Sequence, residues 1–442
     1  MDWDETAIQR WLEPLASRPG ELAEVFGESL WELTLEWRDG AVREAGLRQE
    51  EGTGARWRHA GSEQFVFVAG TEEASVREAV RALRAAAGRD TLPIRPSRAG
   101  ASLPDGPPSL DQDRWPRRLS AAFARHAPRH RFRWRIRETE RRVVAAGQPA
   151  SVARRRLLSL EGRFTAASRP GDEERDFSFH APDADATAAE LKAALIAAGA
   201  ARDRAVPALA GESDVVLAEG SAAVLFHEIL AHPLEADADP SPLSALPDAR
   251  VAVSELEVHD DPRRLDLFGG YERDDEGTAP RAVRLVHSGR IGSRLTDRAH
   301  AGPQGSTGHG RRAGPAEPPL PRSSNLVVAA GSATAEELLR RLGNGLWIEE
   351  FRGGSVDLAG GTFRVAFPRA RRVRRGRFAD EVGPGVLAGE LLPALENIEP
   401  VVGRDVRVCR SLGWCARGGQ VIPVQGAAPD ILIRRLAVRP AL

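Results

Sequence analysis

The chain has 442 residues, 62 basic against 63 acidic side chains, two cysteines, and 42% hydrophobic and 28% charged residues. Its length accommodates two or three domains of roughly 100–200 residues, and its composition is that of a globular protein, not a disordered or fibrous one. The near-zero net charge, with no long run of one sign, gives no electrostatic basis for binding nucleic acid.

Two cysteines in so long a chain argue against a disulfide-built secreted scaffold and fit a reducing cytosol, where either thiol is free to act as a ligand. The opening residues, MDWDETAIQRWLEPLASRPGE, carry acids where a secretory signal carries bases and have no uninterrupted apolar core. No stretch approaches the roughly 20 apolar residues that span a bilayer. The expectation is a cytoplasmic protein with no membrane partner. Lysine and tyrosine occur once each, as Lys192 and Tyr271, which reads as coding bias.

The fold class read from the chain is α+β. A first α+β unit, 1–89, opens with a helical pattern (Ile8, Leu12, Leu15), runs through strand-like ELTLEW (32–37) and QFVFVAG (64–70), and closes on a helix through Val76, Val80 and Leu83. Residues 90–116, rich in Pro, Gly, Ser and Asp, read as a linker. A second α+β unit, 117–210, carries the alternating runs HRFRWRIRE and RFTAAS and an alanine-rich helix near 187–198. From 211 to 442 the chain is mainly β, with glycine-punctuated runs such as VRLVHSGRIG, NLVVAAG, GGSVDLAGGTFRVAF and ILIRRLAV. This third region begins with strand DVVLAEG (214–220) leading into a helix from about Ser221.

That helix carries Phe226-His227-Glu228-Ile229-Leu230-Ala231-His232-Pro233-Leu234-Glu235-Ala236-Asp237. In the zinc-peptidase pattern H-E-x-x-H the histidines share a face; here they are five apart, about 140° around an α-helix. A straight α-helix cannot chelate one ion with both. Because a residue before proline is pushed out of the α region, the helix is expected to end near Ala231, leaving His232 on a turn free to swing back. Glu228 would then be the general base acting on metal-activated water. The other reading of these residues alone is a pair of polar surface histidines, and a third ligand is not identified by the motif.

With the later segments, HEILAHPLEAD resembles the TldD/PmbA peptidases, whose active members carry H-E-x-x-x-H, then G-L-E-x-D and a distant cysteine. The resemblance spans most of the C-terminal half: Asp274-Asp275-Glu276-Gly277-Thr278, Thr307-Gly308-His309-Gly310-Arg311-Arg312, Pro321-Arg322-Ser323-Ser324-Asn325, Gly353-Gly354-Ser355-Val356-Asp357, and Gly413-Trp414-Cys415-Ala416-Arg417-Gly418-Gly419-Gln420-Val421-Ile422-Pro423-Val424. Pro233 and Ala236 stand where the family tends to have glycine, His309 where asparagine is usual, and Ala416-Arg417 where Gly-Lys is common.

The resemblance implies that Cys415 completes a His227, His232, Cys415 set for Zn2+, open at a fourth position for water. Without the segment around it, Cys415 would read as a buried free thiol; Cys409 has no such context and receives no role. His309, Arg311 and Arg312 lie on a Gly-rich loop suited either to substrate carbonyls and an oxyanion or to solvent. Glu235 and Asp237 read either as hydrogen-bond partners of the ligand histidines or as turn residues.

The function implied is hydrolysis of small or unfolded peptides, including leader segments of ribosomally made peptides, held as an added β-strand. The partner implied is a PmbA/TldE-like subunit or a second copy of the chain. The alternatives are a non-catalytic peptide-binding subunit and a peptide-modifying one.

Overall fold

In the computed structural model the described residues are 3–39, 41–88, 129–169, 172–182, 188–199, 202–203, 205–238 and 240–441. The linker expected at 90–116 lies outside them. Among them no helix is long and apolar enough to cross a membrane.

After helix α1 (Glu5–Leu12) the chain makes two β-β-β-α runs. The first is β1 (Leu22–Arg38), β2 (Ala41–His59), β3 (Ser62–Ala69) and α2 (Glu73–Ala86). The second is β4 (His130–Ala145), β5 (Ser151–Arg169), β6 (Asp172–Ala181) and α3 (Ala188–Gly199). Strands β1 and β4 pair antiparallel from Glu24↔Ala145 to Arg38↔Arg131, so the two runs share one sheet in the order β3-β2-β1-β4-β5-β6. The two N-terminal units read separately from the sequence are thus halves of one sheet.

The alternation in HRFRWRIRE places Phe132, Trp134 and Ile136 on a buried face with Leu191 and Leu195 of α3, and turns Arg131 and Arg133 outward. Helices α1 and α2 cover the other half with fully buried Ile8, Leu12, Val76, Val80 and Leu83. The outer half of β2, residues 42–49, is exposed on both faces and carries no apolar alternation; its strand form follows from pairing with β1.

The C-terminal unit has two main sheets. In one, Gly211–Leu217 lies between Ile431–Pro440, antiparallel, and Gly345–Ile348, parallel; among the described residues Gly354–Asp357 is an edge strand paired only to Thr362–Phe367. The other is built on Val258–Asp260, Asn325–Val328 and Gln425–Ala428. The helical run from Ala222 to Leu234 is buried between them. The Ser221 hydroxyl donates to the Ile348 carbonyl of one sheet at 3.0 Å, and Gly426 of the other lies so close that a Cβ there would meet Ala223 Cβ at 2.6 Å. The strand before this run stops at Leu217 because Glu219 and Gly220 take positive φ and turn the chain.

The N-terminal sheet docks on this unit through buried charge. Arg56 of β2, 1% exposed, pairs with Glu276 at 2.8 Å and Glu24 at 3.5 Å, with Asp297 at 3.7 Å. Arg141 of β4 joins Glu28 at 2.8 Å and also pairs with Asp275. Arg298 reaches Glu24 at 3.1 Å, and the Arg312 guanidinium stacks 3.4 Å over Phe26. Removing one partner of such a network strands its counter-charges away from water. Arg56→Met is therefore expected to lower stability by about 3–5 kcal/mol, seen as a lower thermal midpoint. A wild-type midpoint would show that the cluster does not hold the two units.

Candidate metal centre

The helix that leaves Ser221 is α-helical only over Ala222–Phe226. From His227 to Ala231 it widens into a π turn closed by the His232 N–H donating to the His227 carbonyl, and Pro233 follows inside a 3-10 turn. The expected helix end at Ala231 is therefore corrected: His232 keeps right-handed helical angles (φ −58°, ψ −46°). An i→i+5 turn does what a break was expected to do, turning residues five apart toward one another. The two imidazoles stand edge to face with centroids 4.5 Å apart.

Cys415 comes from the hairpin Trp414–Arg417/Gln420–Pro423, whose two-residue turn, Gly418-Gly419, has both φ positive, at 59° and 77°. Such turns match the twist of the flanking strands, and glycine takes them without strain. One ligand atom from each of His227, His232 and Cys415 lies within 4.8 Å of the others, and all three residues are buried. Ligands of one tetrahedral zinc lie about 3.3–3.8 Å apart, given bonds of about 2.0–2.3 Å. Among the described residues neither ring nitrogen of His227 meets a hydrogen-bond partner, although the residue is 2% exposed. A buried polar atom left so costs about 1–3 kcal/mol, which a shared cation would relieve. The residues fit the ion.

Glu235, fully buried, orients the set. Its Oε2 lies 3.0 Å from His232 Nδ1; a carboxylate only accepts, so Nδ1 carries that proton and Nε2 faces Cys415 Sγ at 3.2 Å. The other oxygen accepts from the Ser323 amide at 2.9 Å, and Arg417 lies 2.9 Å from Glu235 and 2.8 Å from Asp237. Burial alone would raise the Glu235 carboxyl, but His232, Arg322 and Arg417 outweigh it and hold it at about 2. Burial likewise opposes the thiolate of Cys415, yet the His232 and His227 imidazoles bring it well below the usual thiol range, and the thiolate is the metal-binding form. For His232 burial works against the proton, while Glu235 and Cys415 raise it well above the usual imidazole range.

Glu228 is 7% exposed. Burial raises its carboxyl above the ordinary range, and His227 and His232 offset only part of this. Its side chain packs on Gly354, where a Cβ would lie 2.7 Å from Glu228 Cγ. Beside the site a cleft of about 1010 Å³ runs between the two units, walled by Arg131, Arg133 and Glu161 on one side and by Gly353 and Trp414, chain neighbours of Gly354 and Cys415, on the other.

His309, Arg311 and Arg312, expected on a loop facing substrate or solvent, are buried and do not line this cleft. His309 is fully buried, with Nε2 3.2 Å from Asp260 and Nδ1 2.9 Å from Thr307 Oγ1. Arg311 donates to the carbonyls of Ser323 (2.6 Å) and Pro423 (2.7 Å), and the Arg312 guanidinium donates to the Asp275 main-chain carbonyl and stacks over Phe26. They build the frame behind the ligands. Sequence reasoning missed Arg322, fully buried with Nη2 3.1 Å from Cys415 Sγ. Its only signal was membership of Pro321-Arg322-Ser323-Ser324-Asn325. Cys409 lies in the hydrophobic core.

Residues 210–440 match the model of the PmbA/TldA metallopeptidase C-terminal domain. The chain belongs to the TldD/PmbA family. A protein of Methanothermobacter thermautotrophicus named a metalloprotease is 31% identical over 239 residues, 53% of this chain and 52% of that one. A zinc metalloprotease TldD homolog of Saccharolobus solfataricus is 27% identical over 237 residues, 52% of each. The matches thus span about half the length of these curated relatives. The fold is that of TldE from Thermococcus kodakarensis, with TM-score 0.73 at 15% identity over 98% of this chain and 100% of that one.

Because the folded-state value of Glu235 lies below its ordinary 4.5, its contribution to stability is complete above about pH 4.5 and is lost as the pH falls toward about 2. In metal-stripped protein, Glu235→Gln should lower stability above pH 5 and flatten the acid limb between about 4.5 and 2. Superimposable acid limbs in urea titrations would contradict this assignment.

Proposed function

We propose that this chain is a zinc-dependent peptidase in which His227, His232 and Cys415 hold the ion and Glu228 is the general base. The observation that carries the reading is the gathering within 4.8 Å of one ring nitrogen of His227, a residue whose nitrogens make no hydrogen bond among the described residues, with one of His232 and Cys415 Sγ, all buried beside an acid. Imidazole and thiolate donors suit zinc better than magnesium or calcium, and three protein ligands leave one position open. When bound, zinc supplies a Lewis acid that polarises a carbonyl and acidifies water at about neutral pH.

The chain's own residues do the rest. Glu228 follows a ligand directly, and among the described residues no hydrogen bond to its carboxylate is made, so it is free to take a proton from the attacking water and return it to the leaving amine. Its raised carboxyl, a result of burial, brings it nearer to working pH. The edge strand Gly354–Asp357 lies against it, and an extended peptide adding to that edge gains main-chain hydrogen bonds with little demand on side chains. Small or unfolded peptides, leader segments included, are the substrate class. A PmbA/TldE-like subunit, or a second copy of this chain, is the partner, in the cytoplasm.

Plasma mass spectrometry of untagged protein should find about one zinc per chain, lost in His227→Ala and Cys415→Ala. Glu228→Gln should keep the ion and cleave peptides about 10²–10⁴-fold more slowly. Absence of metal in wild type would leave the peptide-binding subunit as the reading, and a product mass other than peptide plus water, divided between fragments, would indicate peptide modification.

Gly354→Ala tests the placement of the base. The new Cβ would stand 2.9 Å from both Cδ and Oε1 of Glu228, and a shift of about 1 Å in a reacting group costs about 10²-fold. Cleavage should fall by that order with zinc content intact; wild-type rates would exclude Glu228 as the base in this position.

A further inference from the structure

The hairpin that carries Cys415 pairs with no other strand among the described residues, so no sheet ladder fixes its sulfur relative to the histidines. Arg322, from the segment after Leu320–Pro321, supplies a substitute. Its Nη1 donates to the Arg417 carbonyl at 3.1 Å and lies 3.5 Å from that of Gln420; its Nη2 donates to the Cys415 carbonyl at 3.2 Å and to Sγ at 3.1 Å. Its Nε stands 3.6 Å from Glu235 Oε1, and Glu235 is the group that orients His232. One planar fork therefore joins both strands of the hairpin, the sulfur, and the carboxylate behind the histidine. A lysine's point charge could not meet these partners at once.

We infer that Arg322 is a positioning residue for the metal centre: it locks the Cys415 hairpin to Glu235 and donates an N–H···S bond to the ligand sulfur. This rests on the zinc site proposed above. A hydrogen bond to a thiolate withdraws density from the sulfur, so Cys415 donates less to the ion and leaves it a stronger Lewis acid. The guanidinium also balances charge in the buried pocket that holds Glu235 and the thiolate.

The test is metal affinity by chelator competition, together with the sulfur-to-metal charge-transfer band of cobalt(II)-substituted protein, in wild type, Arg322→Lys and Arg322→Gln. Arg312→Lys, equally buried but with its guanidinium on the Asp275 carbonyl and Phe26, is the framework control. Both Arg322 variants should bind zinc about 10–100-fold more weakly and shift the cobalt band to lower energy, while Arg312→Lys changes neither. Folded Arg322 variants with wild-type affinity and an unmoved band overturn the inference, as does an Arg322→Lys protein that does not fold, which assigns the residue to the framework alone. Wild-type protein that takes up neither zinc nor cobalt overturns the metal-site reading itself.

Discussion

Everything at the candidate centre depends on the i→i+5 turn between His227 and His232. An α-helix through these residues would turn the imidazoles about 140° apart, and its continuation would drive the Pro233 ring into the carbonyl four residues back. Widening the turn removes both conflicts at once. Proline then enters at the start of the next turn, where its missing N–H is not needed. Wide turns have poorer hydrogen-bond geometry and seldom persist unsupported. Here the support is packing: every residue from Ala222 to Leu234 is buried between two sheets, and a fully buried side chain such as Phe226 contributes about 1.5–3 kcal/mol.

The second layer is electrostatic. A thiolate, two imidazoles and two carboxylates within one apolar enclosure would be unstable without fixed counter-charges. Arg322 and Arg417 provide them, and Glu235 is the shared acceptor that binds both arginines to His232. At Ala416-Arg417, where the sequence departs from Gly-Lys, Arg417 places a single nitrogen, Nη1, between Glu235 and Asp237. Glu235 and Asp237, each open between two roles in the sequence, both end in this network. Glu235 alone touches a candidate ligand.

What could be read in the sequence was what periodicity and motif order encode. The alternation of β4, the helices through Ile8 and Val76, and the β-rich C-terminal half follow from local patterns that the fold keeps. The bringing together of His227, His232 and Cys415 was legible only through resemblance, since 183 residues separate Cys415 from His232 and nothing local links them. Local rules misled in two places. The pre-proline rule placed a break where packing enforces a helix. Glycine-rich context suggested an exposed loop for His309, Arg311 and Arg312, but the glycines there admit close approach: a Cβ at Gly310 would meet Glu276 at 2.4 Å. Arg322 could not be singled out because a buried arginine and a solvated one look alike in sequence; only the carbonyls and sulfur around it tell them apart.

The N-terminal sheet is more than a cover for the cleft. Trp414, the residue before Cys415, donates its indole N–H to Ser159 of β5 at 3.1 Å, meets Phe268 edge-on at 5.2 Å, and lies under the Arg137 guanidinium of β4 at 5.0 Å. The backbone that presents the sulfur is thus clamped on one side by Arg322 and on the other by β4 and β5. Separation of the two units must strip Trp414 from its partners before it can disturb Cys415. The buried ion network of Arg56 and Arg141 opposes that separation, because opening would part Glu276 from Arg56, Asp275 from Arg141 and Glu24 from Arg298, cations that make their burial tolerable. Docking of the N-terminal sheet and placement of the cysteine are therefore one mechanical problem, solved by the same interface that walls the cleft.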